Sequence, residues 1–135
     1  MHASTKADYP GHEIEDQIIL IVEDEILLRM MIADEVRMHG FRVIEASNAD
    51  EALAVLQTTP VDLVMTDIRM PGSMDGLRLA ELARSSWPNL KIVIAAGQSG
   101  PAVQMKAADA VFDKPYNPDR VVQRIKDLLK SSDQI

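Results

Sequence analysis

Acidic side chains stand directly after three short apolar runs: Glu23-Asp24-Glu25, then Asp67, then Asp113 followed by Lys114-Pro115. A single carboxylate in such a place is ordinary, because the loops that follow buried segments are wet. Several carboxylates brought together are another matter. At a separation of about 4 Å and an effective dielectric near 20, two of them repel by roughly 4 kcal/mol, so a cation must stand among them. Three acids with free oxygens suit a hard divalent ion. Mg²⁺ in particular takes one or two carboxylates and keeps much of its water. Lys114 adds a compact positive charge. A metal, a lysine and an aspartate gathered at one edge could stabilise charge on a transferring phosphoryl group, with Asp67 as the nucleophile.

That chemistry needs elements that bring the three places together. Ile18 to Val22 is continuously apolar and too short for a helix, which predicts a buried parallel strand. Ile26 to His39 has helical spacing, with Leu28, Ile32 and Val36 in one row, Met31 beside them on the core side, and Gly40 as terminator. The alternation continues. Strands are predicted at Phe41 to Glu45, Val61 to Thr66, Lys91 to Ala96 and Ala110 to Phe112. Helices are predicted from Asn48 through Gln57, with Glu51 completing a capping box, at Gly76 to Ser85, at Ala102 to Lys106 as a short piece, and from Asn117-Pro118 to Lys130. Five strands alternating with five helices imply a doubly wound α/β domain, a parallel sheet covered on both faces. Sites in such sheets lie at the carboxyl ends of the strands, where the acids stand.

Composition narrows the function. The 135 residues carry 14 Lys and Arg against 21 Asp and Glu, a net charge of −7, with no basic cluster, so binding to nucleic acid is not expected. Without cysteine there is no disulfide framework, thiolate zinc site or catalytic thiol. Apolar runs such as Ile18 to Val22 fall far short of the roughly 20 residues that span a bilayer, so no membrane association is expected and a cytoplasmic location is. Residues 1–16 read as a loose tail, 17–131 as the single domain and 132–135 as a short C-terminal tail.

On these residues the chain resembles the response-regulator receiver domains of two-component signalling, over nearly its whole length. The resemblance is carried by Glu23-Asp24, by Asp67-Ile68-Arg69-Met70-Pro71-Gly72 and by Lys114-Pro115, in the family's order and positions. It implies a flavodoxin-like five-stranded sheet in the order 2-1-3-4-5. It implies a phosphoacceptor rather than an enzyme, with Asp67 taking a phosphoryl group from a phosphohistidine of a sensor histidine kinase or histidine phosphotransferase. Glu23, Asp24, Asp67 and the backbone carbonyl of Arg69 would hold Mg²⁺, and Lys114 would meet the phosphoryl oxygens. A cis Lys114-Pro115 bond also follows from it; among partners, a weak homodimer is a separate expectation. With no output domain after Ile135, the expected role is that of a stand-alone relay, sink or protein-binding switch.

Three features depart from the family. The strand-four position that usually carries Thr or Ser is Ala96, and the usual aromatic switch position in strand five is Val111. The stretch between Ala96 and Lys114 is about one helical turn short, and Gly100-Pro101 lies within it, so the fourth helix should be shortened or irregular. Ser99 is the one nearby hydroxyl that could stand in for the missing one.

Two other functions compete. An aspartyl-phosphate hydrolase of the haloacid-dehalogenase type would want a second acid two positions after the nucleophile, where this chain has Arg69. A flavodoxin-like cofactor binder would want Ser, Thr and Gly in the first strand-helix loop, which here is Glu23-Asp24-Glu25. The remaining features are read conservatively. His2, His12 and His39 have no partner at metal spacing, Trp87 covers a loop, and Met65 fills the core. One stripe resists that treatment. Ile26, Met30 and Ala33 form a second apolar row on the first helix, and it is read, with Pro115 and Tyr116, as the face that docks a helical partner.

Overall fold

The computed structural model describes residues 16–97 and 106–132, and within them strand and helix alternate from β1 to β4, with a fifth strand and a last helix following. The elements run β1 (Ile18–Val22), α1 (Ile26–Met38), β2 (Arg42–Ala46), α2 (Ala49–Thr58), β3 (Leu63–Asp67), α3 (Gly76–Ser86), β4 (Lys91–Ala96), β5 (Ala110–Asp113) and α4 (Pro118–Ser132). The expected boundaries of β1 and β4 match these at both ends, and the others differ by at most two residues. The expected short helix at Ala102 to Lys106 and the tail at 1–16 fall almost entirely outside the described residues, as do Ser99, Gly100 and Pro101. Lys106 itself lies in a turn, and the C-terminal helix runs on to Ser132, one residue into the expected tail.

All strand pairs are parallel, in the order β2-β1-β3-β4-β5. The central strands β1, β3 and β4 are buried on both faces, which is why their sequences read as unbroken apolar runs instead of alternating. Two apolar layers result. One packs Ile32 and Val36 of α1 and Val121, Val122, Ile125 and Leu129 of α4 against Ile19, Ile21, Met65 and Val93. The other packs Ala52 and Leu56 of α2 and Leu79, Ala80 and Ala83 of α3 against Leu20, Val22, Val64, Ile92 and Ile94. Trp87 is half-buried on this second layer, as expected of a residue covering a loop.

Local signals explain where helices start and stop. Asn48 Oδ1 accepts from the Glu51 amide at 2.8 Å, while Glu51 reaches back to the Ser47 amide at 2.8 Å, a capping box displaced by one residue on its return arm. Asp75 caps α3 through the Arg78 amide, and Asn117 Oδ1 accepts from the Asp119 amide ahead of α4. Gly40, at φ 98°, takes the left-handed turn that ends α1.

The rotation of α1 differs from expectation. Its buried residues are Ile32, Ala33 and Val36, while Met31 is 43% exposed. Ala33 therefore belongs to the buried face and not to the outward stripe, and Met31 belongs to the outward one. The cause is Arg29, whose side chain is turned inward to polar partners, so the packed stripe runs through positions 29, 32, 33 and 36. Ile26, Leu27, Met30 and Met38 stand exposed on the other side.

Candidate functional site

The carboxyl ends of β1, β3 and β5 bring Glu23, Asp24, Asp67 and Lys114 to one place. The adjacency of β1 and β3 sets Val22 beside Thr66, so the residues that follow each, Glu23 and Asp67, emerge together. Glu23, Asp24 and Asp67 each offer a carboxylate oxygen within 4.8 Å of the others. Glu23 and Asp67 are buried and Asp24 is exposed.

Lys114 is the cation that the crowding requires. Its Nζ donates to Glu23 Oε1 and to Asp67 Oδ2, both at 2.9 Å. Its backbone amide donates to the carbonyl of Ala96 at 2.7 Å, so strand four fixes the lysine even though Ala96 has no hydroxyl to offer. The Lys114-Pro115 bond is cis, as expected. Val111, at the other departing position, is exposed on the outer edge strand.

Burial pushes the Glu23 carboxyl above its ordinary value, against the lowering effects of its bonds from Lys114 and the Glu25 amide. Lys114 is raised despite its own desolvation, because two carboxylates favour its charged form. Tyr116, packed on the layer of α1 and α4, has its phenol pushed up from 10.0 to about 12, chiefly by burial and then by the negative charge of Glu23. Its phenol therefore keeps its proton across the physiological range.

The donor set fits a hard cation: three carboxylates, no sulfur and no imidazole, with the exposed Asp24 opening the cluster to solvent. Beside them Asp24, Arg69, Met70, Pro71 and Asp75 line an open hollow of about 470 Å³. Arg69 is exposed there, where a haloacid-dehalogenase-type hydrolase would have its general acid.

Of the residues read as a partner face, Ile26 and Met30 are 60% and 48% exposed, Pro115 is exposed and Tyr116 is half-buried, whereas Ala33 is buried. The reading of His39 also changes. Glu35, one turn earlier, places Oε2 3.4 Å from His39 Nε2, and Asp119 of α4 completes a group within 4.8 Å. The i, i+4 pair was visible in the sequence, but the meeting of α1 with α4 was not.

Three residues not singled out from the sequence also shape the site. A Cβ on Gly76 would lie 1.7 Å from the backbone oxygen of Asp67, so the first residue of α3 has room for hydrogen only. Thr66, fully buried, donates its hydroxyl to that same oxygen at 2.9 Å. Arg29 donates from Nη1 to the Glu23 carbonyl at 2.9 Å and from Nε to Glu45 Oε1 at 3.1 Å. A glycine at a helix's first position and an arginine on its packed stripe are the signals that could have marked two of them.

Comparison with known proteins agrees with this arrangement. The sequence profile of the response regulator receiver domain matches residues 19–126. An NtrX-like response regulator of Rickettsia felis is 34% identical over 114 residues, covering 80% of this chain and 24% of its own length. The phosphate regulon regulatory protein PhoB of Pseudomonas aeruginosa is 34% identical over 118 residues, covering 83% of this chain and 51% of its own length. The chain thus spans between a quarter and a half of these relatives. Among solved structures, the response regulator TrrA of Thermotoga maritima, in complex with Mg²⁺-BeF, matches at TM-score 0.78 and 32% identity, covering 83% of this chain and 98% of that one. A CheY-like receiver domain protein of Methanospirillum hungatei matches at TM-score 0.82 and 29% identity, covering 87% and 97%. With fold, strand-end acids and sequence profile in agreement, the chain belongs to the response-regulator receiver domain family of two-component systems.

Proposed function

We propose that residues 17–131 act as a phosphoacceptor module in which Asp67 receives a phosphoryl group from a phosphohistidine of a sensor histidine kinase or histidine phosphotransferase. The observation that carries this reading is the double contact of Lys114 with Asp67 and Glu23 at 2.9 Å, inside a group of three converging carboxylates. An Oδ atom of Asp67 forms the new O–P bond as the P–N bond to imidazole breaks, and the imidazole leaves with a proton from solvent. Mg²⁺, held by Glu23, Asp24, Asp67 and the Arg69 carbonyl, would neutralise charge on the phosphoryl oxygens. Lys114, held by its amide to Ala96, is placed to exchange its carboxylate contacts for those oxygens. The chain's contribution is position and charge, with no general acid or base required of it. A cytoplasmic setting is part of this proposal.

Output through strand four is expected to be weak. The side chain of Ala96 can donate no hydrogen bond to a phosphorylated Asp67, and a charge-assisted bond of that kind is worth about 1.5 to 3 kcal/mol, comparable with the coupling energy of many switches. Ser99 remains the candidate substitute.

The exposed row at Ile26 and Met30, extended by Leu27, is proposed as the docking face for the donor. Ile26→Glu with Met30→Glu should slow transfer from a phosphorylated donor protein by at least about tenfold, since losing buried anchors at the centre of an interface can cost more than about 1 kcal/mol each. Labelling by a small acyl phosphate with Mg²⁺ should be unchanged. Equal loss with both donors would show damage to the fold, and no loss with either would remove this face from the interface.

A further inference from the structure

We propose that Arg29 is a positioning residue for the acidic site: its guanidinium holds the main chain at Glu23, so that Glu23 and Asp24 keep their carboxylates beside Asp67. The inference rests on the reading of those acids as Mg²⁺ ligands. Arg29 lies on the packed stripe of α1, where an apolar residue would ordinarily stand. Its side chain is 17% exposed and forks between two acceptors on different elements. Nη1 donates to the carbonyl of Glu23, the residue just past the end of β1, at 2.9 Å, and Nε donates to Glu45 Oε1 on β2 at 3.1 Å. Glu45 is itself held by Arg37, whose Nη2 is 3.1 Å from Oε2.

The Glu23 amide already donates to the Ala46 carbonyl at 3.0 Å. With its carbonyl taken by Arg29, the peptide groups on both sides of the Glu23 Cα are fixed, while its carboxylate is fixed by Lys114 and the Glu25 amide. Removal of the guanidinium frees the Glu23-Asp24 peptide unit, and the two acids then lose their set spacing to Asp67. Groups that orient a metal's ligands are worth 10- to 100-fold in affinity or activity when removed. The fork also matters chemically, because a lysine ammonium is a point charge and cannot span the same two acceptors in plane.

Simple Coulomb repulsion between the guanidinium and the metal ion gives the opposite sign. Loss of a positive charge near a cation site should tighten Mg²⁺ binding, so weaker binding by Arg29→Ala would report position and not charge. The experiment is a Mg²⁺ titration followed by backbone amide shifts of residues 23–25 and 67, on wild type, Arg29→Ala, Arg29→Lys and Glu45→Ala, each with a melting temperature. About tenfold weaker Mg²⁺ binding is expected for both Arg29 variants. Glu45→Ala removes the staple to β2 but leaves the arm to Glu23, so it should lose less than about threefold while also melting lower. If Arg29→Ala does not fold, Arg29→Lys carries the same test with its charge retained. A wild type that shows no Mg²⁺ response overturns the ligand reading, and this inference with it. A wild type that responds, with Arg29 variants equal to it or tighter, or with Glu45→Ala as weak as they are, overturns the inference alone.

Discussion

Gly76→Ala is expected to lose about 3 kcal/mol of stability and most of its capacity for Mg²⁺-dependent labelling. The added methyl would sit 1.7 Å from the backbone oxygen of Asp67, 2.7 Å from its carbonyl carbon and 2.9 Å from Thr66 Oγ1. None of these is the end of a flexible side chain. The Asp67 oxygen is tied by the Thr66 hydroxyl, and the Gly76 amide is itself held by the Ile68 carbonyl at 2.8 Å, so neither side can retreat without breaking a buried bond. Overpacking of this kind costs roughly 1 to 3 kcal/mol, and the upper end applies where backbone meets backbone. For a domain of this size that corresponds to a fall in melting temperature of roughly 10 °C. The gain in helix propensity from Gly to Ala, at most about 1 kcal/mol, acts the other way and is outweighed. Thermal melting of the variant decides the matter; an unchanged or higher melting temperature would mean that α3 can shift away from the strand end.

Lys114→Ala is the second large effect. It leaves Glu23 and Asp67 buried beside each other with no cation between them. Breaking a fully buried pair costs about 3 to 5 kcal/mol. Because Lys114 is partly exposed, a loss nearer 2 kcal/mol at neutral pH is expected. The pH dependence follows from Glu23. Its folded-state affinity for a proton is already raised above the ordinary 4.5 by burial, and loss of the lysine removes the main opposing influence. A carboxyl with a raised folded value gives its stabilising contribution when protonated and loses it as pH rises through that value. The deficit of Lys114→Ala should therefore be largest at neutral pH and shrink as the pH falls toward 4.5. Mg²⁺ should also restore more stability to the variant than to wild type. Chemical denaturation across pH, with and without Mg²⁺, measures this, and a deficit that grows on acidification would contradict it.

Much of the fold was legible because its cause is local. Continuous apolar runs mark strands buried on both faces, and Asn48, Asn117 and Gly40 act within a turn of themselves. The gathering of Glu23, Asp24, Asp67 and Lys114 was legible for a different reason, since parallel strands place whatever follows them on one edge. What escaped was set by contacts between elements distant in sequence. Ala33 and Met31 exchanged faces because Arg29 satisfies its charge on Glu45 and the Glu23 carbonyl, partners that a hydrophobic period does not see. Gly76 read as a plain helix start, since only the closeness of α3 to the Asp67 carbonyl reveals that no side chain fits. His39 gained Asp119 as a neighbour only when α4 packed beside α1.

The central claim is that Asp67 is the phosphoacceptor, and intact mass measured on wild type and Asp67→Asn after incubation with a small acyl phosphate tests it most directly. The account predicts a gain of one phosphoryl group by wild type with Mg²⁺, little without it, and none by Asp67→Asn under either condition. Asn keeps the size of the side chain and a carbonyl that Lys114 can reach, so loss of labelling would reflect the missing carboxylate and not a collapsed site. A full, Mg²⁺-dependent gain by Asp67→Asn would contradict the account.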